Sequence, residues 1–218
     1  MNKFHLTRRQ VIAGGLAAAT ALAFPALARS ASPALAIGGP AFGTSWKAVL
    51  SAAANAGVLQ TALQETLARI DRLMSPWRRD SAITAFNERR SRDWQPIDSE
   101  IATVVRAALS VRGASERAFD IAVGPHVGRW GFGPIAAAAV PQDAEILASD
   151  SALCKSHPEV TVDLCGIAKG YALDQMVSVL REHGEAMTLA WVGDSPLIAA
   201  VAERTGLPTL NIGRQLAP

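Results

Sequence analysis

Five apolar residues constrain this chain most strongly. Leu59, Leu63, Leu67, Ile70 and Met74 recur every three or four positions, the spacing that gathers them on one side of an α-helix. That spacing predicts a helix from Ala53 to Met74, stopped at Ser75-Pro76 because proline disfavours helical backbone in the residue before it. A helix with a single apolar stripe has to bury it against a second layer. Two more helices are predicted. One starts at Asp98 as N-cap, continues through Ile101, Val104, Val105, Ala108 and Leu109 and stops at Gly113; the other runs from Ile167 to His183 and closes at Gly184. Ala41 to Leu50 reads as a first strand with a glycine in it, and Val160 to Leu164 as a short apolar strand leading into Gly166. A short helix is expected near Asp143 to Ala148. Gly124 to Pro134 holds four glycines and two prolines in eleven residues, so it is expected to be a structured loop or a short broken helix. The pattern is mixed α and β, without repeats.

Composition matters mainly at the front of the chain. The sequence has 21 Lys and Arg against 19 Asp and Glu, yet no acidic residue precedes Glu65. Met1 to Gln10 is polar and carries Lys3, Arg8 and Arg9, Val11 to Ala28 is an apolar, alanine-rich run, and the run closes on Ala26-Leu27-Ala28. This is the order of an export signal, and Thr7-Arg8-Arg9-Gln10-Val11-Ile12 resembles the twin-arginine form of it. Two glycines and a proline inside an 18-residue run argue against a membrane-spanning anchor. A cleaved twin-arginine signal at 1–28 and a periplasmic destination are therefore expected, followed by an Ala/Ser/Pro/Gly-rich leader at 29–40. Without 1–28 the chain has 190 residues and a charge of −1, which excludes a polybasic nucleic-acid binder. Two cysteines 11 positions apart exclude a disulfide scaffold and a cysteine-rich zinc module.

The chemistry-bearing stretch is Val162-Asp163-Leu164-Cys165-Gly166-Ile167-Ala168-Lys169-Gly170-Tyr171. A glycine that opens a helix presents unpaired N–H groups and a partial positive charge to an anion, and Lys169 sits in the first turn. Neither common phosphate motif fits: no Ser or Thr follows Lys169, and no upstream glycine lies at P-loop spacing. On residue types alone, a lysine in the first turn of a helix is more often a solvated surface charge than a phosphate ligand.

Five blocks in order carry a family resemblance. Asp163-Leu-Cys-Gly-Ile-Ala-Lys-Gly-Tyr-Ala-Leu-Asp174 resembles the Asp-Leu-Gly-Gly-Ile-Ala-Lys-Gly-Tyr-Ala-x-Asp signature of the ApbE family, the FAD:protein FMN transferases. Phe42-Gly43-Thr44 resembles its Met-Gly-Thr, Met74-Ser75-Pro76-Trp77 its Met-Ser-x-Tyr, and Ser81 to Asn87 the block that follows. Ala118-Phe119-Asp120 to Pro125, with Trp130-Gly-Phe-Gly133, resembles Ala-Phe-Asp-x-Thr-Val-Gly-Pro and Trp-Gly-Phe-Gly. The exported form also resembles the subset that serves nitrous-oxide reductase maturation.

The resemblance implies an α+β fold, an antiparallel sheet packed by helices at 53–74, 98–112 and 167–183, with the domain at 41–185. It implies transfer of FMN from FAD to a Thr or Ser hydroxyl of an exported target protein, with Mg²⁺ and release of AMP. Carried over by position, Phe42, Trp77, Ala118, Phe119, Asp120, Asp163 and Lys169 would contact FAD, and Gly166 would offer a carbonyl to Mg²⁺. The implied partners are FAD and a flavin-accepting protein of an electron-transfer complex. The family's later motifs, a Gly-Gly-Asp/Glu turn, His-Ile-x-x-Pro and Asp-Ala-x-x-Thr, have only a faint echo in Val192-Gly193-Asp194. The stretch at 186–218 is thus expected to be a divergent tail on a C-terminally shortened chain, arising from a shifted reading frame. An accessory protein that binds FAD without transferring it is the alternative, beside an inactive fragment.

Plain structural roles compete with these assignments. Trp77, Phe119 and Trp130 fit core aromatics, Asp163 fits a helix cap, and the arginines between Arg78 and Arg92 fit a solvated face. Arg117 stands where the family has a glycine, so a side chain there is expected to crowd its loop. Cys154 and Cys165 fit either a disulfide or two thiols, and neither His126 nor His183 has the spacing of a metal ligand.

Overall fold

The structure, a computed structural model, describes residues 34–51, 53–141, 143–185 and 189–192. The predicted signal and most of the predicted tail lie outside the described residues. Strands β1 (Ala34–Ala41) and β2 (Thr44–Ser51) form an antiparallel hairpin, followed by helices α1 (Ala56–Met74) and α2 (Ala82–Glu88). Next come β3 (Gln95–Pro96), α3 (Ser99–Ala114), a 3₁₀ turn at Ile121–Val123 and α4 (Gly124–Arg129). Strands β4 (Ile146–Ala148) and β5 (Ala152–Lys155), helix α5 (Ala168–Glu182) and β6 (Leu189–Val192) complete the order. Two three-stranded antiparallel sheets result, in the orders β1-β2-β6 and β3-β5-β4. This is the expected α+β class with antiparallel sheet packed by helices.

The leucine stripe does what its period predicts: Leu59, Leu63, Leu67, Ile70 and Met74 are all buried. They meet Trp46, Ala48 and Leu50, the inward alternation of β2, and the buried face of α5 formed by Leu173, Met176 and Leu180 in one continuous core. α1 also clasps the edge strand with polar groups. Gln60 exchanges two hydrogen bonds with Gly38, donating to its carbonyl at 2.9 Å and accepting from its N–H at 3.2 Å. Gln64 donates to the Pro40 carbonyl and accepts from the Trp46 indole. A side-chain amide thus stands in for the neighbour that an edge strand lacks.

Three expectations are corrected. The leader at 29–40 contains β1, because its residues 34–41 pair in register with 44–51 across a turn at Phe42-Gly43. Asp143–Ala148 ends in strand β4 rather than a helix: Ile146 is buried and Leu147 exposed, the alternation of a strand paired with β5. Val160–Leu164 is irregular and joins no sheet. Its backbone partners are elsewhere: Asn87 donates to the Val162 carbonyl and accepts from the Val162 N–H, and the Asp163 N–H reaches Ile121. In addition, the first stretch of the predicted tail is not unrelated in structure, since Leu189–Val192 pairs with β2.

Two local features explain themselves physically. Arg117 adopts φ +69° and Glu116 φ +51°, the left-handed region that favours glycine, so Arg117 does strain the position where glycine was expected. Lys155 is buried and donates to the carbonyls of Asn87 and Arg89 at the C-terminal end of α2, with its ammonium 4.9 Å from the centre of the Phe86 ring. Burial pushes this lysine down to about 8, with Glu159 acting upward and Arg90 downward.

Two outcomes are expected. Arg117→Gly should raise unfolding stability by about 1 kcal/mol in chemical denaturation, since relief of the left-handed backbone outweighs an exposed ion pair. Between pH 8 and 10.5 the unfolded chain holds the Lys155 proton and the folded chain does not, so folding stability should rise with pH across this window. The difference in stability between wild type and Lys155→Met, followed over that window, should carry this slope.

Candidate functional site

A cleft of about 350 Å³ opens where the hairpin turn, the end of α1, the loop after α4 and the start of α5 meet. Each element delivers one part. The β1–β2 turn supplies Phe42, held at φ +49° beside Gly43 at φ +71°, a conformation unusual for an aromatic residue. The end of α1 supplies Met74, and the chain that leaves it brings Ser75, Pro76 and Trp77. Trp130-Gly131-Phe132-Gly133, with both glycines at positive φ, places Phe132 on the wall. The start of α5 adds Ala168 and Lys169, and the segment before it adds Asp163 and Cys165.

The exposure of the aromatic residues is informative. Trp77 is 70% exposed and Phe132 69% exposed, although both line a concave site. Trp130, two residues before Phe132, is 81% exposed. The core reading therefore fails for Trp77 and Trp130, and holds only for Phe119, which is partly buried against the core. Exposed rings on a cleft offer flat apolar faces to a planar ligand.

At the other end of the cleft lies the N-terminus of α5. Its cap residue, Ile167, makes no side-chain capping bond, and no acidic residue occupies the first turn. The positive end of a 15-residue helix and the exposed Lys169 ammonium thus face one space. Asp163 makes the cap-like bond that was the competing reading, accepting from the Cys165 N–H at 2.9 Å. It still lines the cleft.

The remaining predicted residues sit elsewhere. Asp120 is held by Arg112 at 2.8 Å and Arg117 at 3.6 Å, and it accepts from the Ala122 N–H at the start of the 3₁₀ turn. The Ala118 and Phe119 N–H groups are tied back to Ser115. None of Ala118, Phe119 and Asp120 lines the cleft. Phe119 instead backs the α5 entry: a Cβ on Gly166 would come within 3.0 Å of its ring, so glycine there lets the ring pack against the loop. The structure brings together Phe42, Trp77, Asp163 and Lys169, and leaves the 118–120 turn behind them. Phe132, which sequence reasoning quoted only as part of a block, belongs to the site; its flanking glycines were the available signal.

Both cysteines are free. Burial of its sulfur, then the hydrogen bond and charge of Asp163, push the Cys165 thiol up to about 12, although the residue as a whole is exposed. For a magnesium ion the described residues do not suffice. Among them, no group of three or more His, Cys, Asp or Glu is placed to hold a metal, and one of the Asp163 oxygens already accepts from backbone.

The ApbE family profile matches residues 42–203. The chain belongs to the ApbE family. The match reaches past residue 185, where the block-by-block resemblance stops, and takes in β6. The chain is 31% identical over 188 residues to the FAD:protein FMN transferase of Vibrio cholerae, covering 79% of this chain and 56% of that protein. With the FAD:protein FMN transferase of Salmonella typhimurium it shares 33% identity over 184 residues, covering 75% and 53%. The solved structure of the flavin transferase ApbE from Vibrio cholerae superposes with a TM-score of 0.62 at 30% identity, over 72% of this chain and 56% of that one. The chain thus spans about half the length of the curated relatives it matches.

With its thiol protonated at neutral pH, Cys165 should react slowly despite its exposure. Iodoacetamide at pH 8, followed by mass spectrometry, should label it at least about tenfold more slowly than a small free thiol.

Proposed function

We propose that this protein is an exported FAD:protein FMN transferase, which moves FMN from FAD to a Thr or Ser hydroxyl of a target protein. The observation that supports this best is the single cleft that joins exposed aromatic faces to an uncapped helix N-terminus with a lysine. FAD has the matching halves: planar rings and a doubly charged pyrophosphate between them. Trp77, Phe42 and Phe132 would take a ring by stacking, and the Lys169 ammonium at the positive end of α5 would take the pyrophosphate. The Asp163 carboxylate, an acceptor lining the cleft, suits a hydroxyl or amino hydrogen of the ligand. Behind them, Phe119 and Asp120 would shape the loop that supports the α5 entry rather than touch FAD.

Phosphoryl transfer of this kind depends on positioning and on stabilising charge around the phosphates. Lys169 and the helix terminus supply that charge from this chain. Because the described residues do not make a metal site, no step is assigned to Mg²⁺ here; a carbonyl such as that of Gly166 binds Mg²⁺ usefully only alongside carboxylates or substrate phosphates. The twin-arginine pattern at Arg8-Arg9 supports a periplasmic destination and an exported acceptor. A flavin-accepting protein of an electron-transfer complex is the partner this reading implies.

The expected outcome is that FAD titrated into the purified chain is quenched in fluorescence and binds saturably. Lys169→Ala should weaken that binding roughly tenfold, the worth of one charge-assisted contact, and Trp77→Ala by a similar factor through lost stacking. Incubation with FAD, Mg²⁺ and a target domain should leave a fluorescent band on the target in a denaturing gel, with AMP released. Binding without a labelled target would favour the accessory-protein reading, and absence of binding would overturn both.

A further inference from the structure

The first turn of α5, which carries Lys169, is held at its start by backbone alone, the Ile167 and Ala168 N–H groups both reaching the Leu164 carbonyl. Its cap residue makes no side-chain bond, and Gly170 occupies the turn with open space where a side chain would be. Glycine in a helix is less favourable than alanine, and an uncapped terminus frays. On the opposite side of the same turn, Tyr171 reaches out of the helix. Its hydroxyl donates to Glu100 at 2.5 Å, and Glu100 is also ion-paired with Arg69. Glu100 lies in the first turn of α3 and Arg69 in the last part of α1, so one polar junction ties three helices together. Lys169 precedes Tyr171 by two residues, about 200° around the helix, which directs it away from the junction and onto the cleft.

We infer that Tyr171, held by Glu100 and Arg69, is the positioning residue that orders the phosphate-binding turn of α5. The inference rests on the reading of that turn as the pyrophosphate end of the site. It explains how the turn can stay open toward a ligand: Lys169 faces the cleft with no side-chain cap beside it, Gly170 next to it adds no side chain, and the Tyr171 side is anchored. The ring also packs against the core, so the hydroxyl is the separable part. Burial keeps the phenol protonated by pushing it further up, and so it remains a donor to Glu100.

Hydrogen exchange read by mass spectrometry on the ligand-free full chain is the deciding measurement. In Tyr171→Phe, peptides covering 166–172 should exchange about tenfold faster, while α1 and the second half of α3 keep their protection. Glu100→Gln still accepts from the hydroxyl and should retain most of the protection, whereas Glu100→Leu should lose it as Tyr171→Phe does. FAD titration of the same variants should show affinity falling about threefold to tenfold for Tyr171→Phe and Glu100→Leu, and less for Glu100→Gln. Unchanged exchange at 166–172 in Tyr171→Phe overturns this inference whether or not FAD binds. A wild-type chain that does not bind FAD overturns the proposed function and leaves the exchange result to decide this one.

Discussion

Burial of one face of α1 is the interaction on which the rest of the structure depends. Its five stripe residues fill the space between the β1–β2 hairpin and α5, so the helix is the common wall of both neighbours. Each fully buried Leu, Ile or Met contributes about 1.5–3 kcal/mol relative to exposure. The same helix ends at Ser75-Pro76, and that stop is what delivers Trp77 to the cleft. The hairpin it supports delivers Phe42, and the helix packed on its other side delivers Lys169. The candidate site is thus assembled at the ends of elements whose positions are set by one buried surface.

Polar side chains finish what the sheets leave incomplete. Gln60 and Gln64 bond the backbone of an edge strand, Asn87 pairs with both backbone groups of Val162, and the Lys155 ammonium closes the end of α2. Each replaces a backbone partner, so irregular segments can lie against helices without joining a ladder. The stretch at 160–164 gains its direction toward α5 in this way. That direction sets where the helix begins, and hence where its positive end points.

The main elements were legible because their cause is local. The periods of α1, α3 and α5 and the stops at Pro76, Gly113 and Gly184 predict helices whose observed limits fall close to the expected ones. Segments whose structure depends on a distant partner were not legible. β1 was hidden in an Ala/Gly/Pro-rich stretch because its partner lies across a turn at Phe42 and Gly43, and β4 in a stretch that needs β5 to become a strand. The strand expected at 160–164 failed for the converse reason: its partner is the side chain of Asn87.

The sequence by itself determined the amphipathic core helix and the ordered blocks of the ApbE family, because periodicity and motifs are properties of neighbouring residues. Only the tertiary structure decided which predicted ligand residues share a space. Phe42, Trp77, Asp163 and Lys169 converge on one cleft, while Asp120 is taken up by Arg112 and Arg117 and Phe119 is packed against Gly166. It also turned Trp77 and Trp130 from core candidates into exposed rings. The physical reason is that burial and ion pairing depend on what other elements bring within a few ångströms, which no local pattern records.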